Sequence, residues 1–459
     1  MADVREFDLV VLGGGSGGYS CAFRATQLGL SVALIEEAQL GGTCLHRGCI
    51  PTKALLHSAE VADVTRDAAK FGIEAELVGV NMPAVLRYKD AVIGRLHKGL
   101  EGLAKARRVE LVRASGSVLD AQTVRAGGVD YRGRHLVLAT GSFARGLPGI
   151  ETSDRVITSD QALSLDYVPN RAIVLGGGVI GVEFASIWRS LGAEVRIVEA
   201  LPRLIPAEDE ACSRALERAF RKRGISTTTG AQVTAVRQSD AEVVVELANG
   251  HSLTGDVLLV AVGRGPRTSG IGLESLGVTL NRGFVVVDAH LQTSVPGVFA
   301  VGDIVPGLQL AHRSFAQGIY VAEHIAGLNP APLDEDGIPR VTYSDPEVAS
   351  VGLTELRAAE RFDADQIETY EYNLGGNGKS QILGTAGFVK LVRRKGGPVV
   401  GVHLVGQRMG ELIGEGQLIV NWEAEPMDVA HLIHAHPSQA EALGEAHLAL
   451  AGKPLHVHD

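Results

Sequence analysis

The chain has 459 residues, enough at roughly 150 residues per domain for about three domains, and its 45% apolar content can bury large cores, which excludes a disordered protein. Its 57 glycines show no period of three, excluding a collagen-like chain and marking tight turns and close backbone approaches instead. With 43 Lys and Arg against 53 Asp and Glu, the net charge of −10 carries no long run of either sign, so neither a nucleic-acid partner nor, in the absence of long apolar runs, a membrane span is expected.

The first residues, Met1 to Phe7, lack an apolar signal core, and four cysteines are too few for a secreted disulfide scaffold. A cytoplasmic protein is therefore expected, in which any cysteine pair that matters is catalytic.

Residues 8–38, DLVVLGGGSGGYSCAFRATQLGLSVALIEEA, align without a gap on residues 171–201, RAIVLGGGVIGVEFASIWRSLGAEVRIVEAL. Gly13, Gly15 and Gly18 fall on Gly176, Gly178 and Gly181, and Glu36 falls on Glu199. Each copy reads as strand, glycine turn, helix and strand, with Leu9–Leu12 and Ile173–Leu175 as buried parallel strands. The first glycine makes the turn, the second admits a pyrophosphate to the backbone, and the third lets helix pack on strand. The phosphates then meet the helix N-terminus, and the acidic residue ending the second strand accepts ribose hydroxyls. A lone glycine motif is often only a turn, but here the whole unit recurs, and two dinucleotides imply an electron relay. Glu199 favours NAD(H) over NADP(H), although Arg203 stands four residues further on.

Just after the first copy comes Gly41-Gly-Thr-Cys44-Leu-His-Arg-Gly-Cys49-Ile-Pro-Thr-Lys53. On an ideal helix, cysteines five apart have Cα atoms about 8.6 Å apart. A disulfide needs roughly 4.4–6.8 Å, so the backbone must distort, most easily at Gly48. Pro51 suits the first turn of a helix over residues 51–64, which places Cys49 near a helix N-terminus that favours a thiolate. A zinc site lacks its second ligand pair and a structural disulfide fits a cytoplasmic protein poorly, so a redox-active pair is expected. Cys21 and Cys212 lie in amphipathic helical patterns and read as inert thiols.

Further along, Thr293–Asp303, TSVPGVFAVGD, ends a β-rich run before a helical pattern over about 311–326. Asp303 suits either a ribityl hydroxyl of FAD or a turn or helix cap. Near the end, His431, His434 and His436 precede Glu441. A dithiol attacks as thiolate and needs a proton acceptor near neutral pH, which a histidine oriented by a carboxylate supplies. Metal ligation or a solvated turn are the other readings of three close histidines; no thiolate or acidic ligand stands at fitting spacing, so no metal is expected.

The segments GGGSGG, GGTCLHRGCIPTK, GGGVIGVEFA, TSVPGVFAVGD, YSDPEVASVGLTE and HAHPSQAE resemble, in order from about residue 7 to 447, the FAD-dependent pyridine nucleotide–disulfide oxidoreductases, and most closely the members that oxidise dihydrolipoamide. The resemblance implies an α/β fold with two Rossmann-like domains, one for FAD and one for NAD, and an α+β C-terminal dimerisation domain. The expected division is an FAD-binding domain with the redox pair over 1–148, an NAD-binding domain over 149–270, a central segment over 271–338 that completes the FAD site, and the dimerisation domain over 339–459.

By the same likeness Cys44 exchanges with substrate, and Cys49 lies against the flavin as a charge-transfer thiolate. Lys53 stands beside the flavin with Glu183 as its carboxylate partner; read alone, these are an ordinary first-turn lysine and an N-terminal helix glutamate. His436 becomes the base, Glu441 its orienter and His434 a structural neighbour. The likeness places FAD against Gly13, Gly15, Gly18, Glu36, Gly42, Thr43, Lys53, Thr140, Gly141, Ser142, Gly302 and Asp303. It places NAD against Gly176, Gly178, Gly181, Glu183, Glu199, Gly263 and Arg264. The implied partners are a second copy of the chain, supplying the histidine of each site, and a lipoyl-bearing protein or the acyltransferase core of a 2-oxo acid dehydrogenase complex, or the glycine-cleavage system. The expected reaction is NAD-linked oxidation of protein-bound dihydrolipoamide.

His46 and Arg47 depart from the Asn and small aliphatic residue of well-known members, and such cations can lower a thiol pKa. Arg267 departs from the usual Pro-Asn-Thr and reads as a surface change. No second cysteine pair stands in Gly452–Asp459, which disfavours mercuric and large thioredoxin reductases. Reduction of glutathione disulfide, mycothiol disulfide or a quinone remains the alternative, as does a docking subunit without catalysis, which the intact Cys44, Cys49, His436 and Glu441 oppose.

Overall fold

The computed structural model describes residues 3–456; Met1, Ala2 and Val457–Asp459, at the outer ends of the first and last expected domains, lie outside the described residues. The first glycine unit builds a parallel sheet in the spatial order Glu110–Arg113, Val32–Glu36, Val4–Leu12, Val129–Leu138 and Val298–Ala300. Leu9, Val10 and Val11 are fully buried, because helices or strands cover both faces of such a sheet and its central strands read as continuous apolar runs. Each such side chain contributes about 1.5–3 kcal/mol over leaving it exposed. The strand runs back to Val4, further than its apolar run, because residues 4–7 pair with Asp130–Gly133.

The helix Ser16–Gln27 crosses the later helix Ala311–Ile325 with the two backbones touching: a Cβ added at Gly318 would overlap Gly17 O. Through this crossing and the strand Val298–Ala300, the 293–326 stretch closes onto the first glycine turn.

The second unit repeats the plan in the order Ile225–Thr228, Glu194–Val198, Arg171–Leu175, Val257–Val260 and Val156–Thr158, all parallel. Its helix, Val179–Leu191, ends at Gly192 in the left-handed conformation. A C-terminal antiparallel sheet follows in the order Arg340–Thr342, Glu347–Gly352, Val399–Gly406, Phe388–Arg394 and Ile367–Asn373. Strand alternation gives this sheet two faces. Val351, Leu391, Val402 and Leu404 pack beneath the helices Met409–Asn421 and Glu441–Leu450. Val348, Phe388 and Val405 instead join Cys212, Leu216 and Phe220 of the helix Glu210–Lys222 in the second unit. The architecture is the expected one: α/β, two Rossmann-like units, and an α+β C-terminal part. Among the described residues no helix is long and apolar enough to cross a membrane.

Candidate active site

The redox segment forms two helices, Gly42–Arg47 and Cys49–Asp67, separated by Gly48 at φ −150° and ψ −109°. The distortion required between the cysteines therefore falls at Gly48. The second helix starts at Cys49 rather than at Pro51 and runs on to Asp67; Pro51 still sits in the first turn, where no intrahelical N–H partner is lost. Cys49 thus occupies the first helical position. Both cysteines are free thiols, half-buried and within hydrogen-bonding reach. The Cys44 S–H donated to Cys49 is the largest influence on the pair: it pulls Cys49 down to about 7 and, with burial, pushes Cys44 up. Burial opposes the fall at Cys49 and the Lys53 cation assists it.

Lys53 lies four residues beyond Cys49 on one helix face, so ammonium and thiolate face the same way. Its Nζ donates to both carboxylate oxygens of Glu183 at 3.0 Å and sits 4.6 Å from the centre of the Tyr343 ring. Burial favours the neutral amine, but Glu183 outweighs it and the pKa is raised, keeping Lys53 charged. Glu183 is 3% exposed on the helix of the second unit and also accepts the Tyr343 N–H at 2.9 Å. Lys53 is therefore a cation that lowers the Cys49 thiol, and Arg264, which lines the same cavity, interacts electrostatically with that thiol as well. His46 is instead turned toward Leu40 O, 3.0 Å from its Nε2, and packs edge-on against His97; burial lowers its pKa. Tyr343 is a residue the spacing argument missed, although it opens the YSDPEVASVGLTE segment.

A single cavity of about 1270 Å³ reaches both glycine turns, the redox pair, Lys53, Glu183, Glu199, Gly263, Arg264 and Asp303. A Cβ at Gly18 would overlap Gly13 O, and one at Gly181 would overlap Gly176 O, so the third glycine of each unit lets its helix close on the turn. At the middle glycine, Gly178, an added Cβ meets nothing within 4 Å, leaving backbone open to a ligand. Gly42 lies against Gly15, its added Cβ 2.6 Å from the Gly15 Cα, which places the redox loop over the first turn. Glu36 accepts from Gly14 N–H at 2.6 Å and Ala38 N–H at 2.8 Å; Glu199 accepts from Gly177 N–H at 2.5 Å and Leu201 N–H at 2.7 Å. Both carboxylates are thus held at the ends of their strands, beside the glycine turns. These cradles fit an adenine dinucleotide in each unit.

Asp303 accepts from Ser142 Oγ at 2.5 Å within the turn Gly302–Ile304 and does not cap the helix Ala311–Ile325, whose N-cap is Leu310. Arg264 lines the cavity with its guanidinium directed to Ser142, 2.7 Å from Oγ and 3.1 Å from the carbonyl oxygen. Thr140 Oγ1 donates to Arg267 O at 2.5 Å, and the Arg267 N–H donates to Gly141 O at 2.9 Å. Arg267 also pairs with Glu37 at 2.9 Å. Thr43 lines the cavity beside Cys44.

His436 and Glu441 do not line this cavity. They meet each other, with His436 Nδ1 2.8 Å from Glu441 Oε1, and Ser438 N–H donates to Oε2 at 2.7 Å. Burial raises Glu441, but the Ser438 N–H and the His436 ring outweigh it and hold the carboxyl below its ordinary value. His436 is 79% exposed, with its other nitrogen free of side-chain partners among the described residues. His434, by contrast, pairs with Glu415 at 2.8 Å, which raises its pKa, and packs against Gly444. One chain therefore builds the dithiol with its dinucleotide cradles, and separately a carboxylate-oriented imidazole.

A vicinal dithiol on a cavity shared by two dinucleotide cradles defines a disulfide oxidoreductase. Residues 7–318 match the family described as pyridine nucleotide-disulphide oxidoreductase, and residues 338–447 match its dimerisation domain. The chain is 39% identical to the dihydrolipoyl dehydrogenase of Bacillus subtilis (strain 168), covering 98% of this chain and 99% of the relative. It is 38% identical to the mitochondrial dihydrolipoyl dehydrogenase 1 of Arabidopsis thaliana, with 98% and 92% covered. Among solved structures, LpdA from Mycobacterium tuberculosis is similar at a TM-score of 0.90 and 26% identity, with 96% of this chain and 99% of that chain covered. The chain belongs to the pyridine nucleotide-disulphide oxidoreductase family.

Proposed function

We propose that this chain oxidises protein-bound dihydrolipoamide to lipoamide with NAD⁺, as a homodimer carrying FAD on the first glycine unit and NAD on the second. The observation that carries the reading is the Cys44–Cys49–Lys53 array on a cavity shared by both cradles. Names of relatives 35–39% identical over nearly the whole chain support the substrate. The enzyme would serve a lipoyl-bearing protein or the acyltransferase core of a 2-oxo acid dehydrogenase complex, in the cytoplasm. The ranges 1–148, 149–270, 271–338 and 339–459 remain our proposed domain division.

In the forward reaction a substrate thiolate attacks Cys44 Sγ of the oxidised pair, the Cys44–Cys49 bond breaks, and Cys49 leaves as the thiolate that Lys53 stabilises. The second substrate thiol passes its proton to His436 of the opposite subunit and displaces Cys44, releasing the cyclic disulfide and leaving two electrons on the pair. Bound FAD supplies the two-electron relay by which NAD⁺ is reduced. Glu441 holds the imidazole and stabilises its charged form. Purified flavin-loaded protein, assayed with dihydrolipoamide and NAD⁺ and, in reverse, with NADH and glutathione disulfide, mycothiol disulfide or quinones, should show its highest kcat/KM on the lipoyl couple. A higher value on any other acceptor would overturn the substrate assignment.

A further inference from the structure

Four buried polar residues, Arg340, Ser350, His403 and Lys390, lie side by side across four adjacent strands of the C-terminal sheet. Arg340 is paired with Ser350, Ser350 with His403, and His403 with Lys390. Laterally paired residues share a face, and this row lies two positions along from Val348, Val405 and Phe388, which pack on the second unit. Each of the four is at most 9% exposed. They meet two equally buried carboxylates, Glu208 and Asp209, at the end of the loop that follows Glu199.

Arg340 Nε is 3.0 Å from Glu208 Oε1, and Ser350 Oγ donates to the other oxygen. Lys390 Nζ is 2.8 Å from Asp209 Oδ1, while Oδ2 accepts the Glu355 N–H at 3.0 Å. Burial keeps His403 neutral, so the two cations face the two buried carboxylates, with the half-exposed Glu355 also 2.6 Å from Lys390 Nζ. Pairs this buried carry little net stability, yet removing one partner strands the other, so they hold position strongly.

What they hold is one wall of the cavity. Ala200, Leu201, Pro206, Ala207 and Glu208 line it beside Glu199, and the loop is tied to the glycine turn by Ile205 N–H donating to Gly177 O at 2.8 Å. We propose that Arg340 and Lys390 are positioning residues for the nicotinamide dinucleotide, fixing through Glu208 and Asp209 the loop that closes its ribose side. The proposal rests on the assignment of the second glycine unit to NAD.

The test uses the flavin-loaded dimer. Arg340→Gln should raise KM for NAD⁺ by about 10-fold, since small misplacements of a binding wall are costly, while reduction of the enzyme by dihydrolipoamide without NAD⁺ stays within about twofold. Where Arg340→Gln folds poorly, Ser350→Ala and the neutral double variant Glu208→Gln/Arg340→Gln carry the same measurement, with KM for NAD⁺ raised in each. A merely structural role would depress both half-reactions alike, and that result, or an unchanged KM for NAD⁺ in folded variants, overturns the proposal. Glu199→Ala separates the two layers. If it raises KM for NAD⁺ and Arg340→Gln does not, the site assignment stands and the positioning role falls; if Glu199→Ala has no effect, the assignment falls and takes the positioning role with it.

Discussion

At the scale of single residues, the Cys44 S–H donor governs the thiolate at Cys49. In reduced enzyme, alkylation of Cys49 by iodoacetamide should rise with a midpoint near the value of about 7 set by that donor, because only the thiolate reacts. Cys44→Ala removes the donor and should move the midpoint upward, whereas Cys44→Ser, which keeps a hydroxyl donor, should move it less; equal midpoints by peptide mass mapping would refute the account. A second residue-level outcome concerns the coenzyme. Arg203, the one cation near Glu199 that the sequence offered to a 2′-phosphate, donates to Glu208 O and Pro206 O at 2.9 Å and to Ser213 Oγ at 3.0 Å. With Arg203 engaged and Glu199 lining the cavity where we propose that the dinucleotide's ribose binds, NAD(H) should be preferred by at least about 10-fold in kcat/KM, or ~1.4 kcal/mol. Parity with NADP(H) in steady-state assays would contradict this.

At the scale of elements, the closeness of helix to turn in each glycine unit makes the third glycine a sharp probe. Gly18→Ala would drive a Cβ into Gly13 O, an overpacking that costs about 1–3 kcal/mol and should separate the phosphate-binding backbone from its helix dipole. The protein should be isolated with little flavin, read as the absorbance ratio of flavin to protein; a full complement of flavin would show the turn to be more tolerant than its packing implies. These units were legible in the sequence because everything that makes them is local: a turn, a helix and a carboxylate within 31 residues, 8–38, then again at 171–201. The break at Gly48 followed from distance alone. The start of the next helix at Cys49 did not, because Pro51 is tolerated anywhere in a first turn. Tyr343 and the polar row were invisible for a different reason. Their partners are set by strand pairing between segments such as Arg340–Thr342 and Glu347–Gly352 and by packing against Glu183 or Glu208, and no local spacing encodes those contacts.

At the scale of the whole molecule, the dithiol lines the cavity and the carboxylate-oriented imidazole does not, while residues 338–447 match a dimerisation domain. If each site takes His436 from the opposite subunit, Cys44→Ser and His436→Gln homodimers, mixed and exchanged, should yield mixed dimers with one intact site. Statistical exchange makes about half the dimers mixed, so roughly a quarter of wild-type activity should return under twofold symmetry. No recovery, with exchange verified by native mass spectrometry, would place the base in the same chain as its dithiol.

The row of Arg340, Ser350, His403 and Lys390 also limits how this chain can be recombined. The second glycine unit looks like a cassette, bounded by turns and complete in its own sheet, and exchanging such cassettes between relatives is the obvious route to a new coenzyme preference. Glu208 and Asp209 would travel with it, and their counter-charges would stay behind. A cassette inserted without matching changes on the C-terminal sheet would leave Glu208 and Asp209, or Arg340, buried without a counter-charge, and Lys390 with only the half-exposed Glu355. Inheritance of the coenzyme site and of that sheet is therefore joined, and successful chimeras of this chain will be those that exchange both together.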